Sequence, residues 1–222
     1  MKYFFGILIT VAVFMINRLI NKKNKYINFN PLIFSSLTII IILYLFNIDF
    51  ETYNYSARAL SFLITPATVA LAIPLYKTRH MIQKHMTIIV GSILMGVIVH
   101  AITIAFLSIA LQLDKAMIAT VLPKSVTTAI AKDLSLSYEG IQPITVALVI
   151  VTGIYGAIIS PFIFRIFKIK EQGLALGVSA HAVGLSTAIQ IDEREGTMAT
   201  LALILTGLIT VFVMPLMMYL LT

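Results

Sequence analysis

Long apolar runs separated by short polar stretches dominate this chain, and their lengths identify the elements. Eight runs stand out, at about 3–20, 31–48, 57–76, 86–113, 116–138, 141–167, 173–190 and 197–221. A helix needs about 20 apolar residues to cross a bilayer, so the pattern predicts spanning helices. Three runs are interrupted. Segment 3 contains Pro66 and Pro74, segment 5 carries Pro123-Lys124-Ser125-Val126-Thr127-Thr128 at its middle, and segment 7 holds Gly173, Gly177 and Gly184. The expected fold is an all-α polytopic membrane protein with about six full transmembrane helices and two re-entrant or broken segments, 5 and 7. Residues 1–222 read as one membrane domain. It comprises an N-terminal helix pair (1–50), a broken helix followed by a long one (56–113), and two repeat units (116–167 and 173–221).

Composition excludes the alternatives. Charged residues are 11% of the 222, against about 25% in soluble domains, and hydrophobic residues are 59%. A soluble domain of this size cannot hide so much apolar surface, and disordered chains are poor in it. The net charge of +7 would suggest nucleic acid in a soluble chain. Here 10 of the 16 basic residues lie at 18–25, 77–84 and 165–170, in short loops where the positive-inside bias puts them. No nucleic-acid partner is expected. No cysteine is present, which removes disulfides, thiolate catalysis and cysteine metal sites. The N-terminal apolar run lacks a small-x-small cleavage pattern and reads as a retained helix.

The same charges constrain topology. The loops at 18–25 and 77–84 share a side if segments 1 to 4 each cross once. The loop at 165–170 joins them only if segment 5 dips in and returns, or otherwise crosses an even number of times. An internal repeat points the same way. A 54-residue shift pairs 119–161 with 173–215, placing Leu122 on Leu176, Ser125 on Ser179, Glu139 on Glu193, Thr152-Gly153 on Thr206-Gly207 and Pro161 on Pro215. Two units that each combine a re-entrant hairpin with one crossing helix have opposite topology, a common transporter construction.

Lys124 is the most informative residue. A lysine within an apolar segment costs about 2.5–3.5 kcal/mol on insertion scales, so it marks a pathway or a partner; the alternative is snorkelling to an interface. Ser125, Thr127 and Thr128 surround it with hydroxyls, and Pro123 breaks the helix. The half-helix beyond would present free N–H groups and a positive dipole end. Together these suit a small carboxylate. In segment 7, Ser179, His181 and Gly184 occupy the corresponding place. His181 reads either as a hydrogen-bond donor or proton carrier facing Lys124, or as a histidine bonded across glycine-packed helices. His100 reads as structural, and Asp192-Glu193-Arg194-Glu195 as a charged loop. No catalytic constellation, metal-ligand spacing or nucleotide fingerprint occurs, so no enzyme activity, cofactor or metal is expected.

Three stretches, Thr65–Tyr76, Leu122–Ala131 and Gly173–Gly196 with Ala180-His181-Ala182 at its centre, resemble the LrgB/CidB family of bacterial membrane proteins. That resemblance implies a holin-like or antiholin-like protein affecting murein hydrolase activity and lysis. It also implies kinship with plastid glycolate/glycerate translocators and with pyruvate transport, and a small LrgA/CidA-type membrane partner. Ala129 stands where the family usually has proline, and Leu185-Ser186 where Gly-Thr is more usual.

The expected function is therefore a carrier for a small monocarboxylate or hydroxy acid in the bacterial cell membrane, with a proton as a candidate coupling ion. Its substrate-binding residues are Lys124, Ser125, Thr127, Thr128, Ser179, His181 and Gly184, with Pro66 and Thr68 shaping broken segment 3. A homo-oligomer, a dimer, is expected. The rival from another class is a lysis regulator acting by oligomerisation.

Overall fold

The computed structural model describes residues 4–23, 31–63, 66, 69–70, 72–77 and 79–222. The described residues are helical, with no strand among them. They divide into two compact units, Met1–Ile73 and Pro74–Thr222.

The first unit is built on α1 (Phe5–Lys23), which packs against α2 (Pro31–Leu45) and α3 (Phe50–Phe62). Helix α3 begins earlier than the apolar pattern predicts, because residues 51–56 are mostly polar and fall between the second and third apolar runs. Asp49 precedes the helix in an extended conformation and Glu51 sits in its first turn, where an acidic side chain favours the helix dipole. Its polar face is used against α1. Ser56 Oγ accepts from the Gly6 N–H at 2.9 Å, and the Thr10 and Tyr53 hydroxyls are 2.8 Å apart. A side chain at Gly6 would run into the Tyr53 carbonyl at 2.7 Å, so glycine permits this close approach. Helix α3 stops after Phe62 with Leu63 as its C-cap, and α4 covers Ala72–Lys77; the break expected at Pro66 falls among residues that lie largely outside the described ones.

In the second unit a short α5 (Arg79–Lys84) leads into α6 (Met86–Ala110). Then come α7 (Lys115–Val121), a 3-10 turn (Leu122–Ser125), α8 (Thr128–Ser137), α9 (Gln142–Ile166), α10 (Gly173–Ile191) and α11 (Glu193–Leu221). Helices α6, α9 and α11 are long and apolar enough to cross a membrane. Their outward faces carry exposed Ile, Leu, Val and Phe, as lipid contact requires. In the first unit, α1 and α2 are shorter apolar helices.

Helix α11 is the ruler of this unit. Near its start, Met198, Leu201 and Ala202 pack with Ile82 of α5 and with Ile89 and Ile93 from the beginning of α6. Near its end, Met214 and Met218 pack with Ile104 of α6 and Ile118, Ala119 and Leu122. Helices α6 and α11 therefore run parallel. The end of α9, at Phe164, joins Ala199 near the start of α11, so α9 runs the other way.

Helix α10 has the length to cross but does not cross. Its continuity fails at His181, whose φ is 40° and ψ −120°. The Gln172 and Gly173 N–H groups bond the Glu195 carboxylate, and a side chain at Gly196 would meet Ile189. Both ends of α10 thus lie at the start of α11. A side chain at Gly184 would collide with Leu176 backbone, eight residues away, whereas i and i+8 in a straight helix are about 12 Å apart. Segment 7 is a re-entrant hairpin with His181 at its tip.

Segment 5 is a second hairpin, entering from the opposite end. Leu113, Leu134 and Tyr138, from both of its ends, join the Met214–Met218 cluster at the end of α11. Its base is tied together by Thr120. The Thr120 hydroxyl accepts from Ile141 N–H at 2.8 Å, and Thr145 donates to the Thr120 carbonyl at 3.1 Å and Ser135 Oγ at 2.8 Å. The element boundaries keep the 54-residue offset. Thr127, extended before α8, corresponds to His181, and Ser137, the last residue of α8, to Ile191, the last of α10. Pro161 and Pro215 both lie inside the crossing helices.

Candidate functional site

The two hairpin tips meet halfway along α11. The 3-10 turn bearing Lys124 packs against α6, α7, α8, α9, α10 and α11, which makes it the most central turn of the unit. Pro123 at its start holds φ near the helical value while denying an N–H to the ladder, so the helix tightens and stops. Val126 and Thr127 then run extended, and Thr127 caps α8 by accepting from the Ile130 N–H at 3.5 Å. The first turn of a ten-residue helix is thereby aimed at the tip.

Three basic side chains converge there. Lys124 is half-buried. His100, from the middle of α6, shares a hydrogen bond of 3.1 Å between its Nε2 and the Leu122 carbonyl. His181 is 3% exposed, and its ring faces the Lys124 main chain. The Lys124 ammonium and the two rings lie within electrostatic reach of one another. No carboxylate answers them: the single ion pair among the described residues joins Arg194 to Glu171 at 3.1 Å, on the surface. The arrangement has positive charge potential and free helix N-terminal donors at one place.

His181 carries a further mark. Four other non-glycine residues have positive φ, namely Asn47, Gln112, Glu139 and Lys168, and each closes a helix. The N–H following each returns to a carbonyl five residues back, as from Gly140 to Ser135 and Ile169 to Phe164, the usual left-handed helix terminus. His181 closes nothing of that kind. Its backbone conformation costs about 1–3 kcal/mol, and its Nε2 is buried without a partner.

Of the residues expected at the site, Lys124, Ser125, Thr127 and His181 are brought together. Ser125 donates to the Val178 carbonyl at 3.4 Å, tying one tip to the other. Gly184 serves the hairpin from within its second arm, allowing the two arms to touch. Thr128 and Ser179 are exposed, and Ser179 donates to Ala175 of its own helix at 2.7 Å, away from the cluster. Pro66 is exposed in the first unit, and Thr68 lies outside the described residues. No group of side chains that could hold a metal occurs among the described residues.

Two contributors escaped the sequence reading. His100 was read as structural, although an ionisable residue midway along a spanning helix is itself a functional signal. Glu195 was placed in a charged loop. It is 5% exposed and anchors the base of the second hairpin through the Gln172 bond, 2.7 Å, and the Gly173 bond. Asp192 caps α11 beside it, accepting from the Glu195 N–H at 2.7 Å. The capping-box spacing, with Asp192 as N-cap and Glu195 three residues on, was the available clue.

Known proteins share this sequence over nearly its full length. Residues 10–220 match the LrgB-like family. The chain is 35% identical over 219 residues to a Bacillus subtilis (strain 168) protein named antiholin-like protein LrgB, covering 97% of this chain and 95% of that one. A Bacillus cereus (strain B4264) protein of the same name is 35% identical over 222 residues, covering 98% and 96%. No solved structure matches. With family match and relatives both spanning the helices that carry the two hairpins, the chain belongs to the LrgB-like family.

Proposed function

We propose that this protein is a membrane carrier for a small monocarboxylate or hydroxy acid, of the size of pyruvate, glycolate or lactate. One observation carries the reading: Lys124 sits where two opposite-facing hairpins meet and has no carboxylate partner among the described residues. Its counter-charge must come from a bound anion, because an unpaired ammonium within a membrane is costly. The carboxylate pairs with Lys124 and takes donors from Ser125, Thr127 and the start of α8. His181 lies at the opposing tip to donate a bond or carry a coupled proton. Opposed hairpins that meet at a central site are the machinery of alternating access. On this reading it works as a multi-pass component of the bacterial cell membrane, as a dimer and with a small LrgA/CidA-type membrane partner.

The relatives' printed name supports a second reading, that of an antiholin-like regulator of murein hydrolase activity and lysis working by oligomerisation. Uptake of radiolabelled pyruvate, glycolate and lactate into proteoliposomes, with dye leakage followed in parallel, separates the two. Saturable uptake that is lost in Lys124→Met supports the carrier. Dye release without saturable uptake supports lesion formation and overturns it.

A further inference from the structure

The surface that the second unit turns outward is of two kinds. On the crossing helices it consists of large apolar side chains at every depth, such as Leu94, Ile98, Ile102 and Phe106 on α6, or Leu208, Phe212 and Leu216 on α11. On the two hairpins such side chains are exposed only near the bases, Leu136 in the first and Ile189 and Ile191 in the second. Nearer the tips the exposed residues are Thr128, Ala129, Lys132 and Asp133 of α8, and Ser179 and Ala182 of α10.

These positions share a register. Thr128, Lys132 and Leu136 recur every four residues and so form one line along α8. The 54-residue shift carries them onto Ala182, Ser186 and Gln190, one line along the second arm of α10. Thr128 and Ala182 directly follow the tip residues Thr127 and His181, and the rest of each line leads toward its hairpin base. The two lines therefore run from beside Lys124 to opposite ends of α11. Exposure of Thr128 and Ala182 brings accessible surface to the depth of the tips.

Lipid does not suit that surface. Lys132 is five residues, about 7.5 Å, from Thr127, and it has no carboxylate partner among the described residues. Ionisable residues at membrane depth face a bundle interior or a water-filled cavity. Lys132 is exposed, so it is not in the interior.

We infer that the two lines border water-filled half-paths, one from each face of the membrane, that end at Lys124, and that Lys132 is an entry station for small anions on the first. Lys132 and Thr128 stand one turn apart, about 5–6 Å between Cβ atoms, so an anion leaving Lys132 meets the Thr128 hydroxyl and then the start of α8. Asp133 points about 100° further round the helix, away from this line. The second line carries no charge. What travels along the paths rests on the carrier reading above, whereas the paths themselves are tested without transport.

Single cysteines in the otherwise cysteine-free chain test this, with impermeant thiol reagents applied to right-side-out and inside-out vesicles holding the full-length protein. Lys132→Cys is labelled from the side opposite Lys84 and Lys168, and Ser186→Cys from the side of those two lysines. Ile102→Cys and Phe212→Cys, on the apolar surface, are labelled only after denaturation in detergent, because the reacting thiolate does not form in hydrocarbon. Labelling after denaturation also shows that each variant is present. In Thr128→Cys, adding Lys132→Met slows an anionic reagent relative to a cationic one by about threefold, the effect of one unit charge at that distance in water. Lys132→Cys and Ser186→Cys as inert as Ile102→Cys, or labelled from the same side, overturn the half-paths. An unchanged reagent ratio overturns the entry station. Labelling as expected without saturable uptake of any acid overturns the carrier reading and supports the half-paths.

Discussion

Replacing Gly184 with alanine tests the folded-back form of segment 7. The added methyl carbon lies inside contact distance of the Leu176 carbonyl oxygen, 2.8 Å from the Leu176 carbonyl carbon and 2.9 Å from Ala180 Cβ. Two of those atoms are backbone, so no side chain can rotate away. Relief requires the arms of the hairpin to part by about 1 Å, and such overpacking costs about 1–3 kcal/mol. Gly91, on an exposed stretch of α6, is the control, because a side chain there meets nothing within 4 Å. Gly91→Ala should stabilise by about 0.5–1 kcal/mol, the usual helix preference for alanine. The two variants are thus expected to differ by about 1.5–4 kcal/mol, with Gly184→Ala the weaker. Reversible unfolding in mild detergent measures this, and hydrogen exchange across 173–191 locates it. A straight spanning helix would gain from both substitutions. Equal stabilisation by Gly184→Ala and Gly91→Ala would refute the hairpin.

Other consequences are open to direct measurement. Lys124→Met should insert and fold normally while losing about ten- to a hundredfold in carboxylate affinity, the worth of one hydrogen bond to an ion; equilibrium binding of labelled pyruvate reads this out. Glu195→Gln keeps the shape of the anchor and removes its charge from two N–H donors. It should cost about 1–3 kcal/mol and speed hydrogen exchange at residues 172–176 ahead of the rest of the unit. The native chain has no cysteine, so single cysteines at Lys84 and Lys168 can be labelled cleanly. Both should react from the cytoplasmic side with an impermeant reagent, since both basic stretches flank the same end of α11.

The parts of this architecture visible in sequence are those with local causes. Pro123 and the polar run after it announce a break, and the glycines of segment 7 announce close backbone approach. The Thr-Gly and proline punctuation, repeated 54 residues apart, announces two equivalent units. What depends on distant partners was not visible. Nothing near His100 in the chain reveals the Leu122 carbonyl, 22 residues on. Glu195 looks like any member of a charged run until the start of α10 is seen to rest on it. Ser179 pairs with Ser125 in the repeat but not in environment, because the first tip tucks its serine inward and the second leaves it exposed. The onset of α3 was missed because two of its polar residues, Tyr53 and Ser56, bond to a neighbouring helix, a partnership the local pattern does not show.

The contacts of Gly153 and Gly207 have a bearing on how the chain is made. Gly153, on α9, meets Ala180, His181 and Val183 of the second hairpin, and Gly207, on α11, meets Ile130 of the first. Each crossing helix therefore seats the hairpin of the other repeat as well, in addition to the bonds by which each repeat ties its own. Leu134 of the first hairpin finds Met214 only after about 80 further residues have been synthesised. At roughly 5–20 residues per second, that contact waits on the order of 4–16 s. The packing of the first hairpin is thus completed only by a helix far along the chain, so the two repeats finish each other's cores instead of folding independently.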